Sequence, residues 1–261
     1  MEQSTLEILL FALLGTIFGS FNSLLIHRLP IDEAVVFTRS ACPKCKNKLC
    51  ARDLIPIISW LINFAKCRFC KSPISIRYPL LEGGTAALFI IIYHLKGFNY
   101  SSLILCLLTS NLLVLCIIDF KWRIIPDSLQ IVVGTLGLIY GFISGLHIAD
   151  MLAGAILGGL IGLSLQIIIK WWKKQDGLGM GDVKFMVASG IWLGTNLIPY
   201  YFYSGLFGVI TAIVWQLWSK DPRFPFGPAL ALSLLLLLLH SDAENWYLEF
   251  SVNFVTMLGL I

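Results

Sequence analysis

A chain of 261 residues would suit one or two soluble domains, yet 57% of this one is hydrophobic and only 13% is charged, with a mean hydropathy of +0.83. Soluble domains carry roughly 25% charged residues. This chain cannot coat a globule with charge and needs lipid as solvent, which argues against a soluble enzyme, a disordered protein or a nucleic-acid binder.

A spanning helix needs about 20 mostly apolar residues, and the pattern predicts an all-α polytopic membrane protein with about eight of them. The first runs over about residues 5–27. It lacks a basic leading region and a small-residue cleavage site, so it reads as a retained helix rather than a signal peptide. Residues 28–79 then break the apolar pattern. Within them Cys42-Pro43-Lys44-Cys45 and Cys67-Arg68-Phe69-Cys70 are separated by 21 intervening residues. Two such knuckles form a closed tetrahedral shell of four thiolates, which predicts a structural zinc ion held by Cys42, Cys45, Cys67 and Cys70. A segment of this size has too little core to fold alone, and a metal would staple it. Cys50 lies near the first knuckle with less regular spacing. Seven cysteines in all, an odd number, argue against a fully paired disulfide framework.

The remaining spans are expected over about 80–96, 101–118, 128–146, 151–170, 183–198, 201–218 and 227–240. Cys106 and Cys116 fall inside the third and read as core residues. Gly154, Gly158 and Gly162, four residues apart, predict close helix packing. Pro225-Phe226-Gly227-Pro228 breaks the chain before the last span. Trp171 and Trp172 read as interface anchors, His27, His94, His147 and His240 as interfacial, and the tail 250–261 as lying at the interface.

With these crossings, 18 of the 19 lysines and arginines fall on one side of the membrane, and only Lys96 on the other. By the positive-inside rule that side is the cytoplasm. The segment with Asp242, Glu244 and Glu249 then faces outward, as its acidity suggests. The basic face would meet anionic headgroups, and no nucleic-acid partner is expected.

An ionisable group at a membrane segment suggests function. Asp119 directly follows the apolar run to Ile118, and Asp182 sits in Gly179-Met180-Gly181-Asp182 at the start of the sixth span. Both are expected at the cytoplasmic membrane edge. As a pair, one carboxylate could activate water and the other protonate a scissile carbonyl. Helix capping by Asp119 and Asp127 is the alternative, and spacing alone leaves both open. The glycines near Asp182 form neither a Walker loop nor a dinucleotide fingerprint.

These motifs, taken in order, resemble the bacterial prepilin peptidases, a family of membrane aspartic proteases with a GxGD motif. Gly19-Ser20-Phe21 and Arg28-Leu29-Pro30 resemble the opening motif. The two cysteine knuckles, Ile55-Pro56, Ser59-Trp60-Leu61, Ile74-Ser75, Arg77-Tyr78-Pro79 and Glu82 resemble the cytoplasmic domain. The segment from Asp119 to Pro126-Asp127, the Gly179–Lys184 segment and Pro225–Pro228 resemble the later motifs.

The resemblance implies that Asp119 and Asp182 are catalytic. It implies cleavage of type IV prepilins, or of pilin-like secretion or competence subunits, after a glycine at the cytoplasmic face of the bacterial inner membrane. The leaders of such substrates are basic. Many members also methylate the new N-terminus with S-adenosylmethionine, and the cysteine domain goes with that bifunctional form. The expected division is a first helix over 1–27, a zinc-binding domain over 28–79 and a membrane-embedded peptidase domain over 80–261. The chain departs from the pattern where asparagine usually stands two residues after Phe21. Here Asn22 comes one earlier and Ser23 holds that place, and Gly83-Gly84 follows Glu82. A peptidase that has lost methylation, and a zinc-stapled transporter or assembly factor, are the alternatives.

Overall fold

The computed structural model describes residues 2–35, 39–174, 177–219 and 224–240. Lys220, Arg223, the acidic segment with Asp242, Glu244 and Glu249, and the tail 250–261 lie outside them. Among the described residues the protein is helical, without a strand. Eight long helices match the eight expected spans: α1 (Glu2–Arg28), α3 (Arg77–Lys96), α4 (Tyr100–Trp122), α5 (Asp127–Ser144), α6 (Ile148–Lys173), α7 (Met180–Leu193), α8 (Ile198–Trp218) and α9 (Gly227–Leu239). A five-residue helix, α2 (Ile58–Ile62), lies in the polar segment. Six of the eight are long and apolar enough to cross a membrane, which makes this a multi-pass membrane protein. The exceptions are α7 and α9. Their 14 and 13 residues span only about 20 Å at 1.5 Å per residue, short of the ~30 Å hydrocarbon layer.

Local chemistry sets the helix ends. Asn99 caps α4 by accepting the Ser102 N–H at 2.7 Å, while the Ser102 hydroxyl accepts the Asn99 N–H at 3.2 Å. Arg123, left-handed at φ 57°, closes α4. Gly194, at φ 59°, stops α7 at Leu193, short of the expected end at 198, and the polar Thr195 and Asn196 follow it. Pro199 and Pro228 open α8 and α9, where a missing N–H costs nothing. The four histidines fall at helix ends: His27 and His94 in last turns, His147 before α6 and His240 after α9.

The chain forms two compact units, residues 1–129 and 130–261. In the first, α1 packs on α3 and α4, and α3 on α4. A Cβ on Gly15 or Gly19 of α1 would strike the backbone of Ala86 or Glu82 in α3, so these glycines permit the approach. In the second, α6 packs on α7, α8 on α9, and α7 on α9. Trp192 Nε1 of α7 donates to the Val133 carbonyl of α5 at 2.9 Å, and the Tyr201 hydroxyl of α8 donates to the Gly158 carbonyl of α6 at 3.2 Å.

The glycine row of α6 does what its spacing predicts. A Cβ on Gly154 would fall on the Gly190 and Gly194 carbonyls, and one on Gly158 on the Met186 carbonyl. These neighbours are backbone and cannot swing aside. Gly158→Leu should therefore cost about 3 kcal/mol through overpacking and lower the thermal stability of the detergent-solubilised protein. Thermal-shift measurement against Gly159→Ala, whose added Cβ meets only the Val187 side chain, checks this.

Candidate active site and metal cluster

Asp119 lies inside the last turn of α4, because the helix runs on to Trp122 rather than stopping at the end of the apolar run. It is 5% exposed, next to the fully buried Ile118, and its carbonyl accepts the Arg123 N–H at 2.9 Å. Asp182 is half-buried in the first turn of α7. Its Oδ2 accepts the Gly179 N–H at 3.1 Å, which satisfies one of the open donors at that helix start. The preceding loop is held from α6, where Gln166 Nε2 donates to the Leu178 carbonyl at 3.1 Å. Asp127 stands exposed at the start of α5. Asp119 belongs to the first compact unit and Asp182 to the second.

Gly179 has an ordinary φ of −71°, so conformational freedom does not explain the glycine. A Cβ there would stand 3.2 Å from Asp182 Oδ2. If Asp182 reacts, Gly179→Ala should lower kcat about threefold to tenfold by displacing the carboxylate a few tenths of an ångström. Steady-state kinetics on a purified substrate would show this, with KM nearly unchanged.

The four knuckle cysteines do converge. The Sγ atoms of Cys42, Cys45, Cys67 and Cys70 all lie within 4.8 Å of one another. The two knuckles are built alike. Cys42 N–H donates to Asn47 and Lys46 N–H to Cys42; in parallel, Cys67 N–H donates to Ser72 and Lys71 N–H to Cys67. Lys46 and Lys71, each just after the second cysteine, are left-handed at φ 59° and 57°. The Cys42 and Cys70 sulfurs stand 3.8 Å apart. A tetrahedral zinc with Zn–S bonds of ~2.3 Å sets its sulfurs about 3.8 Å apart, so this cluster can hold the ion.

The thiols bear marks of a shared site. The Cys45 backbone N–H holds the Cys42 thiol down to about 6, against the effect of burial. Hydrogen bonds from Ser72, side chain and backbone, also lower Cys70. The Asn47 N–H favours the Cys45 thiolate, but burial and the neighbouring Cys42, Cys70 and Cys67 sulfurs outweigh it and push Cys45 up to about 11. Cys50 stays outside the cluster. It caps a short 3-10 turn over Ala51–Leu54, its N–H donating to Asp53 Oδ2 at 3.0 Å, and Asp53 pairs with Arg68 at 3.3 Å.

Several polar contacts lie beyond sequence reasoning. Glu82 of α3, 6% exposed, accepts the Ile57 N–H through Oε2 at 2.6 Å. Arg28, 8% exposed, donates from Nη1 to the Ala34 and Val35 carbonyls at 3.0 and 3.1 Å. The Ser110 hydroxyl of α4 donates to Oδ1 of Asn22 at 3.0 Å, whereas the Ser23 hydroxyl donates to the Gly19 carbonyl of its own helix. The inward asparagine of α1 is therefore Asn22, one place earlier than the motif leads one to expect. Beside the end of α4, an open pocket of about 490 Å³ is lined by Leu29, Pro30, Ile124, Pro126, Ser128 and the acids Asp32, Glu33 and Asp127.

Comparison with known proteins places this architecture. Residues 13–95 match the bacterial peptidase A24 N-terminal domain, and residues 106–213 match the type IV leader peptidase family. The chain belongs to the type IV leader peptidase family. It is 34% identical to the prepilin leader peptidase/N-methyltransferase of Neisseria gonorrhoeae, over 93% of this chain and 95% of that protein. Proteins of the same name from Aeromonas hydrophila and Pseudomonas aeruginosa are 33% and 32% identical, over 90% and 92% of this chain and 92% of each relative. No solved structure matches it. The first family match takes in both cysteine knuckles and Glu82, and the second takes in Asp119 and Asp182.

Proposed function

We propose that this chain is a prepilin leader peptidase that also N-methylates its product. It cuts type IV prepilins, or pilin-like secretion or competence subunits, after a glycine at the cytoplasmic face of the bacterial inner membrane. The near end-to-end similarity to prepilin leader peptidase/N-methyltransferases carries the reading. The bias of basic residues to one side, counted with all eight helices crossing, supports the orientation. A first helix over 1–27, a zinc-binding domain over 28–79 and a membrane-embedded peptidase domain over 80–261 are the working division.

Asp119 and Asp182 are the catalytic pair. The positive end of the α7 dipole favours a carboxylate at Asp182, and Asp119 sits at the opposite, negative end of its own helix. Asp182 therefore takes a proton from water, whose oxygen attacks the scissile carbonyl carbon. Asp119 gives its proton to the carbonyl oxygen. Collapse of the tetrahedral intermediate breaks the C–N bond: the leaving amine takes the proton held by Asp182, and a hydroxyl of the intermediate returns a proton to Asp119. Zinc, held by Cys42, Cys45, Cys67 and Cys70, is structural, since a closed four-thiolate shell leaves no position for substrate.

The acid-lined pocket beside α4 suits a basic leader. Asp32→Asn with Glu33→Gln should raise KM about threefold to tenfold with little change in kcat, because each exposed charge contributes less than about 1 kcal/mol. Kinetics on a prepilin with its basic residues replaced should show no such difference between variant and wild type.

For methylation, S-adenosylmethionine supplies the methyl group. Among the described residues no glycine-rich loop between strand and helix marks where it binds. Purified protein incubated with prepilin, with and without S-adenosylmethionine, tests the second activity: a cleaved product carrying one methyl group only when the donor is present supports it. Cleaved but unmethylated product in both arms leaves a peptidase alone.

A further inference from the structure

The polar segment between α1 and α3 carries an apolar face that its own fold leaves bare. On α2, Ile58, Leu61 and Ile62 are 52%, 57% and 69% exposed. Their spacing puts them on one side of the helix turn. Leu54 and Ile55 precede them, both exposed, and Phe64 follows at 84% exposed. The opposite side of the turn is used internally: Trp60 Nε1 donates to the Ile74 carbonyl at 3.2 Å, and Ala65 N–H donates to the Trp60 carbonyl at 2.9 Å.

Phe64 and Ala65 are both left-handed, at φ 51° and 57°, a conformation that costs roughly 1–2 kcal/mol for each non-glycine residue. That backbone holds the phenylalanine at the tip of the turn. A run of six large apolar side chains on a small polar segment marks a contact surface rather than a solvated one.

The position of this face points to its occupant. Ile57, directly before α2, is bonded to Glu82 within the second turn of α3, and Gly19 of α1 packs on the Glu82 backbone. The turn is thus pinned to the start of the membrane-crossing helix α3, which itself packs on α1. Exposed Ile76, Tyr78 and Leu80 lead from it into α3. Arg52, Lys66 and Arg77, exposed near it in the chain, supply positive charge. Apolar side chains with neighbouring basic residues, tethered to spanning helices, fit the headgroup–acyl boundary of an anionic bilayer.

We propose that the α2 turn, through Ile58, Leu61, Ile62 and Phe64, inserts into the lipid interface and docks the cysteine segment on the membrane surface. The two knuckles bracket this turn in sequence, so the metal cluster fixes the ends of the inserted segment.

The test is photocrosslinking of the full chain in nanodiscs of phosphatidylglycerol and phosphatidylethanolamine. Benzoylphenylalanine is placed at position 64 or, separately, at 62, so that a local fault at one position does not decide the result. A third protein carries it in place of the exposed Lys48 in the first knuckle. The expected result is phospholipid adducts at 62 and 64, about fivefold or more above those at 48. Lipid adducts no more frequent than at 48, or crosslinks to a second chain or to a co-reconstituted prepilin in place of lipid, would overturn it.

Discussion

Replacing Asp119 or Asp182 by asparagine should reduce prepilin cleavage by about three orders of magnitude or more, while the protein still accumulates in the membrane. The substitution keeps shape and removes only the ability to exchange a proton, and acid–base groups contribute about 10²–10⁴-fold each. Because the two act in one step, the double variant should be no worse than the worse single one. Asp119→Asn conserves the volume of a side chain that is 5% exposed. In Asp182→Asn the new amide keeps one oxygen to accept the Gly179 N–H. Folding should survive both, as read by size-exclusion profile and thermal shift. Cleavage within threefold of wild type in either variant would remove that residue from the mechanism.

The second large effect concerns the thiol cluster. Cys67→Ser should abolish zinc binding by the cluster and unfold the segment around it. Limited proteolysis should then cut between residues 39 and 76, where wild type resists. Among the described residues the segment has few other supports: α2 has five residues, and the β-pairings are isolated bridges of Ala41 with Lys48 and Lys66 with Pro73. Structural zinc contributes on the order of 10 kcal/mol to such small domains.

The same cluster predicts a pH dependence. The Cys42 thiol is lowered from 9.0 to about 6, so its contribution is complete above the ordinary thiol value and is lost as pH falls through about 6. Cys45, raised to about 11 when no ion shares its charge, must give up a proton to bind one. Metal affinity therefore falls with acidification. A chelator should strip the ion markedly faster at about pH 5.5 than at about pH 8, as metal analysis of the desalted protein would record.

Much of this is legible in the sequence because membrane helices and metal knuckles are local signals. Hydropathy finds all eight long helices, and the spacing of Cys42, Cys45, Cys67 and Cys70 finds the cluster. Boundaries are less legible. The span pattern suggests a sixth crossing to residue 198, but Gly194, at positive φ and followed by the polar Thr195 and Asn196, ends α7 at Leu193. The third span reads as ending at 118, before Asp119, whereas helical hydrogen bonding carries α4 one turn further and puts the carboxylate inside it. Hydropathy measures transfer to lipid and does not see where backbone bonding stops. α2 is too short for any periodicity, and the Ile57–Glu82 and Asn22–Ser110 bonds join residues 25 and 88 positions apart, which only the tertiary fold brings together.

The most direct test of the central claim is the N-terminus of a prepilin co-expressed with this chain in a host lacking its own leader peptidase. Intact-mass and N-terminal analysis of the membrane-extracted pilin should show loss of the leader immediately after its glycine. A full-length, uncut prepilin beside folded, membrane-inserted protein, repeated across several type IV prepilins, would contradict it.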